Sequence, residues 1–270
     1  MKLLSIDVGI KNMGVCLFEV ENKEFSILEW NTLDLLCVHK CCIENCNKPI
    51  QYFKNDKYYC KTHAKKDEIY HLPPDDIQNI NKIKNLKIFG LHELCKKYDI
   101  IYDNSNTKDE LIKIIESYIK NKYFDIFVKE NCNDIDLIKV GININIQLNK
   151  FMKYHQDINY VIIENQISPI ANRMKTIQGM VSQYFIINKI HNIKFVSSYN
   201  KLKLFNNKKL SYSEKKKLSI EITNNFLENI NSLGDWKISF LSSKKKDDLA
   251  DSFLQGYYYL LNNEFINKLI

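Results

Sequence analysis

The chain has 270 residues, 45% hydrophobic and 26% charged, with a formal net charge of +7. That length and apolar content suit one large domain or two small ones with a sizeable core, and exclude a disordered or collagenous chain. No apolar run approaches the ~18 residues of a membrane helix, so no membrane association is expected.

Residues 1–8, MKLLSIDV, read as a short apolar strand carrying one carboxylate, Asp7. Met1-Lys2-Leu3 enters this strand directly, so neither a secretory leader nor a mitochondrial transit peptide is expected. Gly9 and Asn12 supply a turn. Residues 13–20 and 24–30 read as a second and third strand of an antiparallel meander, extendable to Leu36.

The pattern breaks at Cys37. Five of the eight cysteines (Cys37, Cys41, Cys42, Cys46 and Cys60) crowd into 24 residues, with His39 among them and His63 just beyond. With no secretory leader expected, the thiols are expected to stay reduced rather than to form a disulfide framework. Cys41 or Cys42, then Cys46, then Cys60 and His63 give C-x₃₋₄-C…C-x₂-H, the spacing of a structural Zn²⁺ site. Gln51 to Phe53 and Tyr58-Tyr59 can form a hairpin between the two halves. Cys37 and His39 are spare donors. Four protein ligands leave no open position, which points to a structural rather than catalytic ion.

Residues 67–85 are polar, contain Pro73-Pro74 and read as a linker. Residues 86–119 show two helical periods, with Phe89, Leu91, Leu94, Leu111, Ile112 and Ile115 as their core and Thr107 and Glu110 at capping-box spacing. The segment is similar to a SAP motif, a helical hairpin that binds duplex DNA, which implies that the Lys108 side faces DNA. The plainer alternative is a hairpin that only packs against the zinc unit.

Residues 137–154 read as an amphipathic helix with Ile138, Ile142, Ile146 and Phe151 on its apolar face. Residues 159–164, NYVIIE, form a buried strand ending in Glu164. A helix over 172–190, a strand over 193–198 and helices over 212–230 and 246–261 follow, the first of the last two capped by Ser211 or Ser213. Charge is concentrated late: residues 199–246 hold 11 Lys against 4 acidic residues, a net of +7, and run straight into Asp247-Asp248. A basic tract touching an acidic cluster suits a site that grips phosphates and holds cations.

Asp7 and Glu164 close buried strands. Asp248 and Asp251 (i, i+3), or Asp247 and Asp251 (i, i+4), share one helical face. Carboxylates brought to one point repel each other unless a divalent metal holds them. Two such ions about 3.5–4 Å apart activate a water and stabilise the leaving oxygen in phosphodiester cleavage. The set therefore predicts a metal-dependent nuclease.

The segments LLSIDVGIKNMGVCLFEV, VIIENQISPIANRMKTIQGMVSQYF and KKKDDLADSFLQG resemble the three acidic motifs of RuvC-type Holliday junction resolvases, in the branch of poxviruses, other large DNA viruses and fungal mitochondria. The resemblance covers residues 1–36 and about 137–262. It implies an α/β, RNase H-like fold: a mixed five-stranded sheet flanked by helices. It also implies a Mg²⁺-dependent homodimer, with two ions per active site and Mn²⁺ as a substitute, that cuts branched DNA, the four-way junction, by paired nicks during recombination and replication. Carried over, Asp7, Glu164 and Asp251 are the metal-binding acids, with Asp248 the favoured partner and Asp247 the alternative. Lys201 matches a basic residue near the site in some relatives. Asn165, Gln166, Asn172, Arg173 (the sole arginine), Lys175, Lys203, Lys244, Lys245 and Lys246 are candidate DNA contacts.

The implied organisation is a nuclease domain over 1–36 plus 123–270, a zinc insertion over 37–66, a linker over 67–85 and the SAP-like motif over 86–120. With no mitochondrial leader expected, the A/T-rich codon bias behind the many Lys, Ile and Asn suggests a viral protein acting in host cytoplasm. Competing readings are an RNase H-like nuclease for RNA–DNA hybrids or RNA precursors, and an inactive DNA-binding module. Asp7-Val8-Gly9 also resembles the first phosphate loop of actin-like ATPases, but no second Gly-rich loop follows.

Overall fold

Strands β1 (Lys2–Asp7), β2 (Met13–Glu21) and β3 (Glu24–Leu33) open the chain. The computed structural model describes residues 1–36, 39–166, 172–205 and 210–268, and Cys37, the spare thiol, lies outside them. β1 and β2 are buried along nearly all their length rather than at alternate residues, as befits central strands covered on both faces. β2 turns into β3 through Asn22 and Lys23, both at positive φ (50° and 64°), the hand that matches strand twist.

Residues 39–129 make a compact unit of their own. A hairpin of β4 (Ile50–Lys54) and β5 (Lys57–Cys60) turns at Asn55-Asp56, again at positive φ (47° and 60°). Helices α1 (Lys61–Ala64), α2 (Ile80–Lys84), α3 (Ile88–Lys97) and α4 (Lys108–Lys122) follow. Thr107 caps α4 in the expected capping box with Glu110. Strand β6 (Asp125–Ile126) pairs with β4, giving a three-stranded sheet in the order β5-β4-β6. Leu91, Leu94, Leu111, Ile112 and Ile115 form the helical core with Ile77, Ile83 and Tyr123. Three expectations shift here. Residues 67–85 are no bare linker, since Ile77 and Ile83 supply part of that core. Residues 123–129 belong to this unit, because β6 completes its sheet and Phe124 is buried beside Tyr52, Tyr59 and Tyr70. Phe89, expected in the core, is 69% exposed, because the buried stripe of α3 runs through Leu91, Leu94 and Cys95.

The first unit resumes with α5 (Leu137–Tyr154), β7 (Tyr160–Asn165), α6 (Asn172–Ile187), β8 (Ile193–Ser197), α7 (Tyr212–Asn229), α8 (Gly234–Ser242) and α9 (Lys246–Asn262). Its sheet runs β3-β2-β1-β7-β8; β7 lies parallel to β1 and β8, and the other pairs are antiparallel. α5 and α6 cover one face; α7, α8 and α9 cover the other. This is the expected RNase H-like arrangement of a mixed five-stranded sheet flanked by helices. α9 lies so close to β2 that a Cβ at Gly256 would stand 2.2 Å from the Phe18 ring. The sequence pattern missed α8, which exists to pack Trp236 and Phe240 on Trp30 (ring centroids 6.3 and 5.1 Å away). Of the residues expected on the apolar face of α5, Phe151 enters the core, but Val140, Ile144 and Leu148 fill the rest of it, while Ile138 is 72% and Ile142 55% exposed. Among the described residues no helix is long and apolar enough to cross a membrane.

Candidate active site

Parallel pairing sets the first two acids. Ile6 of β1 stands opposite Ile163 of β7, so the next residue of each strand, Asp7 and Glu164, leaves the same end of the sheet side by side. Asp248 and Asp251 come from the first turns of α9. Gly14 sits opposite Asp7 in the β1–β2 ladder, and a Cβ there would lie 2.4 Å from the Asp248 carbonyl oxygen. The missing side chain therefore lets the start of α9 reach the sheet. Two hydrogen-bonding groups fix it in that place. Trp30 Nε1 donates to the Leu249 carbonyl at 2.9 Å. Gln255 Nε2 donates to Ser5 Oγ and to the Ile6 carbonyl, each at 3.2 Å.

The result is a cleft of about 420 Å³ lined by Asp7, Glu164, Lys201, Asp248 and Asp251 among others. Lys201 sits in a 3₁₀ turn, Asn200–Leu202, beyond β8. Its Nζ lies 2.6 Å from Asp251 Oδ2, 3.6 Å from Glu164 Oε1 and 3.9 Å from Asp7 Oδ1. Burial works against the Lys201 ammonium, but the three carboxylates outweigh it and hold its pKa above the ordinary lysine value. Burial first, with Glu164 and Asp251 adding to it, pushes Asp7 well above the usual carboxylate range against the opposing pull of Lys201.

The two candidates for the fourth acid separate clearly. Asp247 accepts a 2.5 Å hydrogen bond from Lys216 Nζ, and although burial opposes it, this contact holds Asp247 below its usual pKa. Asp248 lines the cleft, and its Oδ2 is buried with no hydrogen-bond partner among the described residues. Burial and then the neighbouring Asp247 charge raise its pKa. The Lys245 ammonium stands 4.0 Å from that oxygen, beyond hydrogen-bonding reach, and a buried carboxylate oxygen left without a hydrogen bond costs about 1–3 kcal/mol or more. Asp7, Glu164, Asp248 and Asp251 are thus hard oxygen donors suited to Mg²⁺ or a similar ion.

The DNA candidates scatter. Gln166 Nε2 donates to Glu164 Oε2 at 3.2 Å, and its backbone N–H donates to Gln178 Oε1 at 2.8 Å, so it steadies the acid. Arg173 is half-buried and donates to the Ile135 carbonyl, so part of its fork is turned into the protein. Asn165, Lys245 and Lys246 are half-buried; Lys175, Lys203 and Lys244 are exposed. Lys108 is exposed at the start of α4 in the other unit. The residue-by-residue reading missed Tyr199, Tyr212, Lys215 and Lys216, which also line the cleft; their one signal was the charge excess of that stretch.

A second cluster lies within residues 39–129. The ligand atoms of Cys41, Cys46, Cys60 and His63 all lie within 4.8 Å of one another. Cys41 Sγ and Cys60 Sγ are 3.3 and 3.4 Å from His63 Nδ1, and Cys46 Sγ is 3.8 Å from Cys60 Sγ. Tetrahedral corners on Zn–S bonds of ~2.3 Å are themselves ~3.8 Å apart, so the set fits zinc. Cys41 is the buried member of the Cys41-Cys42 pair. Cys42 is exposed and stands outside the cluster, its N–H donating to the Tyr58 carbonyl. His39 stacks on the Tyr58 ring, 3.9 Å between centroids.

Residues 110–263, more than half of the chain, match the model of the Poxvirus A22 protein family. The chain belongs to that family. The Poxvirus A22 match takes in Glu164, Lys201, Asp248 and Asp251 and so spans the second and third acidic motifs; the first, with Asp7, lies before it. The uncharacterized protein L451 of Acanthamoeba polyphaga mimivirus is 30% identical over 320 aligned positions, spanning 98% of this chain and 75% of that protein. Among solved structures, the Holliday junction resolvase of fowlpox virus is similar with 15% identity and a TM-score of 0.44, over 97% of this chain and 99% of that one. The yeast mitochondrial Holliday junction resolvase is similar with 11% identity and a TM-score of 0.46, over 97% and 80% of the two chains.

Proposed function

We propose that this protein is an endodeoxyribonuclease that resolves four-way DNA junctions by paired phosphodiester hydrolysis during viral recombination and replication. The observation that carries the reading is the convergence of Asp7, Glu164 and Asp251 on Lys201, with Asp248 lining the same cleft, in a chain of the Poxvirus A22 family. Asp7, Glu164, Asp248 and Asp251 hold Mg²⁺, two ions per site, or Mn²⁺ in its place. A divalent pair bound there supplies an activated water and neutralises the leaving oxygen. Lys201 adds a fixed positive charge that stabilises the charge developing on the scissile phosphate. Gly14, Gln255 and Trp30 keep the acids of α9 in register with Asp7. Asn165, Lys175, Lys203 and Lys244 to Lys246 contact phosphates, and Lys108 does so from the SAP-like hairpin. Arg173 joins α6 to the segment before α5 and contributes to phosphate binding only through its remaining donors.

Paired nicks on opposite strands call for two active sites. The apolar groove between α5 and α6, lined by Ile138, Ile142, Met180, Tyr184 and Ile187, is the kind of exposed patch that marks an association surface, and it supports a homodimer. The Cys41–Cys46–Cys60–His63 cluster holds a structural Zn²⁺. A family shared with poxvirus proteins, and a relative from another large DNA virus, support action in host cytoplasm.

The test is cleavage of a labelled synthetic four-way junction beside linear duplex and an RNA–DNA hybrid, with Mg²⁺ or chelator. Symmetric nicks on the junction alone, lost in Asp7→Asn, are expected. Cutting of the hybrid instead moves the protein to hybrid or RNA processing, and binding without cutting makes it a DNA-binding module.

A further inference from the structure

Two aromatic rings stand at the mouth of the carboxylate cleft with no packing role to explain them. Tyr199 and Tyr212 are 71% and 75% exposed, and both line the cleft with Lys215 and Lys216. Tyr199 lies two residues beyond β8, just before the turn that carries Lys201; Tyr212 is the first residue of α7. Each ring has a lysine ammonium over it. Lys215 Nζ is 4.9 Å from the Tyr199 centroid, and Lys216 Nζ is 5.1 Å from that of Tyr212. Lys216 is held in turn by Asp247 at 2.5 Å. A cation near an aromatic face orients the ring, and the high exposure leaves much of each ring surface open to solution.

We infer that Tyr199 and Tyr212 form a stacking platform for nucleobases that have left the helical stack, next to the phosphate held at the carboxylates. Lys215 and Lys216 face the phosphates that flank those bases. The inference rests on the proposed junction cleavage and names what this site recognises in its substrate. Three features favour a nucleobase as the occupant. Aromatic stacking accepts any base, because every base has a π-face. The rim is positively charged and continuous with the cleft, within the stretch of net charge +7 over residues 199–246. An intact duplex hides its base faces, whereas the strand-exchange point of a four-way junction interrupts the stack. The platform therefore discriminates between branched and linear DNA without reading sequence.

The test uses full-length protein carrying Asp7→Asn, so that substrate is bound and not cut. 2-Aminopurine, whose fluorescence falls when it stacks, is placed at the exchange point of a junction and, separately, in a single-stranded oligonucleotide. Quenching is expected on both. Adding Tyr199→Ala and Tyr212→Ala should abolish it and weaken junction binding about 10- to 100-fold, with a smaller loss on linear duplex. Tyr199→Phe with Tyr212→Phe should keep both signals, since the ring face acts and the hydroxyl does not. Quenching that survives the alanine pair overturns the inference, as does an equal loss of affinity on junction and duplex. If the protein neither cuts nor prefers junctions, the proposed function fails, and the single-stranded probe still decides the platform: quenching lost in the alanine pair upholds it, and no quenching overturns it.

Discussion

The two clusters of side chains proposed to hold metal ions are built in opposite ways. The carboxylates of the cleft come from positions 7, 164, 248 and 251, and strand pairing, Gly14 and the packing of α9 bring them together. That scaffold has two hydrophobic cores of its own. The thiols and imidazole of the other cluster come from one short stretch, Cys41 to His63, held by a two-stranded hairpin and a four-residue helix. The first site is a consequence of the fold. The second is a local cross-link on which a small segment depends. An ion lost from the first should silence the protein; an ion lost from the second should unfold part of it.

That contrast can be broken in several places. The largest effect is expected at the acids: Asp7→Asn or Asp251→Asn should lower junction cleavage by ~10³-fold or more, with the circular dichroism spectrum unchanged. Stripping the Cys/His ion, or Cys60→Ser, should expose the segment around residues 41–66 to limited proteolysis and leave the RNase H-like unit resistant. Cys42→Ser, outside the cluster, should change neither the zinc content measured by mass spectrometry nor the proteolysis pattern. Gly14→Ala should push the start of α9 off the sheet, cutting the rate by ~10²-fold and destabilising the chain by about 1–3 kcal/mol; single-turnover rates and denaturant melts measure both.

The smallest effect is electrostatic and has a definite sign. Asp7 and Asp248 hold their protons more tightly folded than unfolded. The folded chain therefore binds more protons, and metal-free stability falls as pH rises from the ordinary carboxylate range near ~4 through the raised folded values. In chelator at pH 7.5, Asp7→Asn should melt higher than the parent chain, and the gap should close as pH is lowered toward ~4. An equal gap at both pH values would mean that the Asp7 charge does not oppose folding.

The sheet was readable because its strands are short apolar runs separated by strong turn residues, and Asp7 and Glu164 stand out as charges at the ends of such runs. The helix acids were readable only as a set. Asp247 and Asp248 both share a face with Asp251, and the choice between them depends on Lys216, which approaches from α7, 31 residues earlier in the chain. Cys41 and Cys42 posed the same problem: adjacent residues point apart, and tertiary burial decides. The face of α5 was misjudged because both its stripes are apolar, one for the core and one for the groove against α6. Helix α8 carries no clear period, since its sequence answers to Trp30 rather than to a helical face. Gly14 and Gln255 carry no chemistry of their own and acquire a role only when α9 is laid against β1 and β2.

The most direct test of the carboxylate cleft compares Asp248→Asn with Asp247→Asn in single-turnover cleavage of a labelled four-way junction at saturating Mg²⁺. Loss of ~10³-fold in Asp248→Asn, with Asp247→Asn within about tenfold of the parent, is the expected result. An active Asp248→Asn beside an inactive Asp247→Asn would contradict it, and would show that the acid turned toward Lys216 is the one that holds the metal.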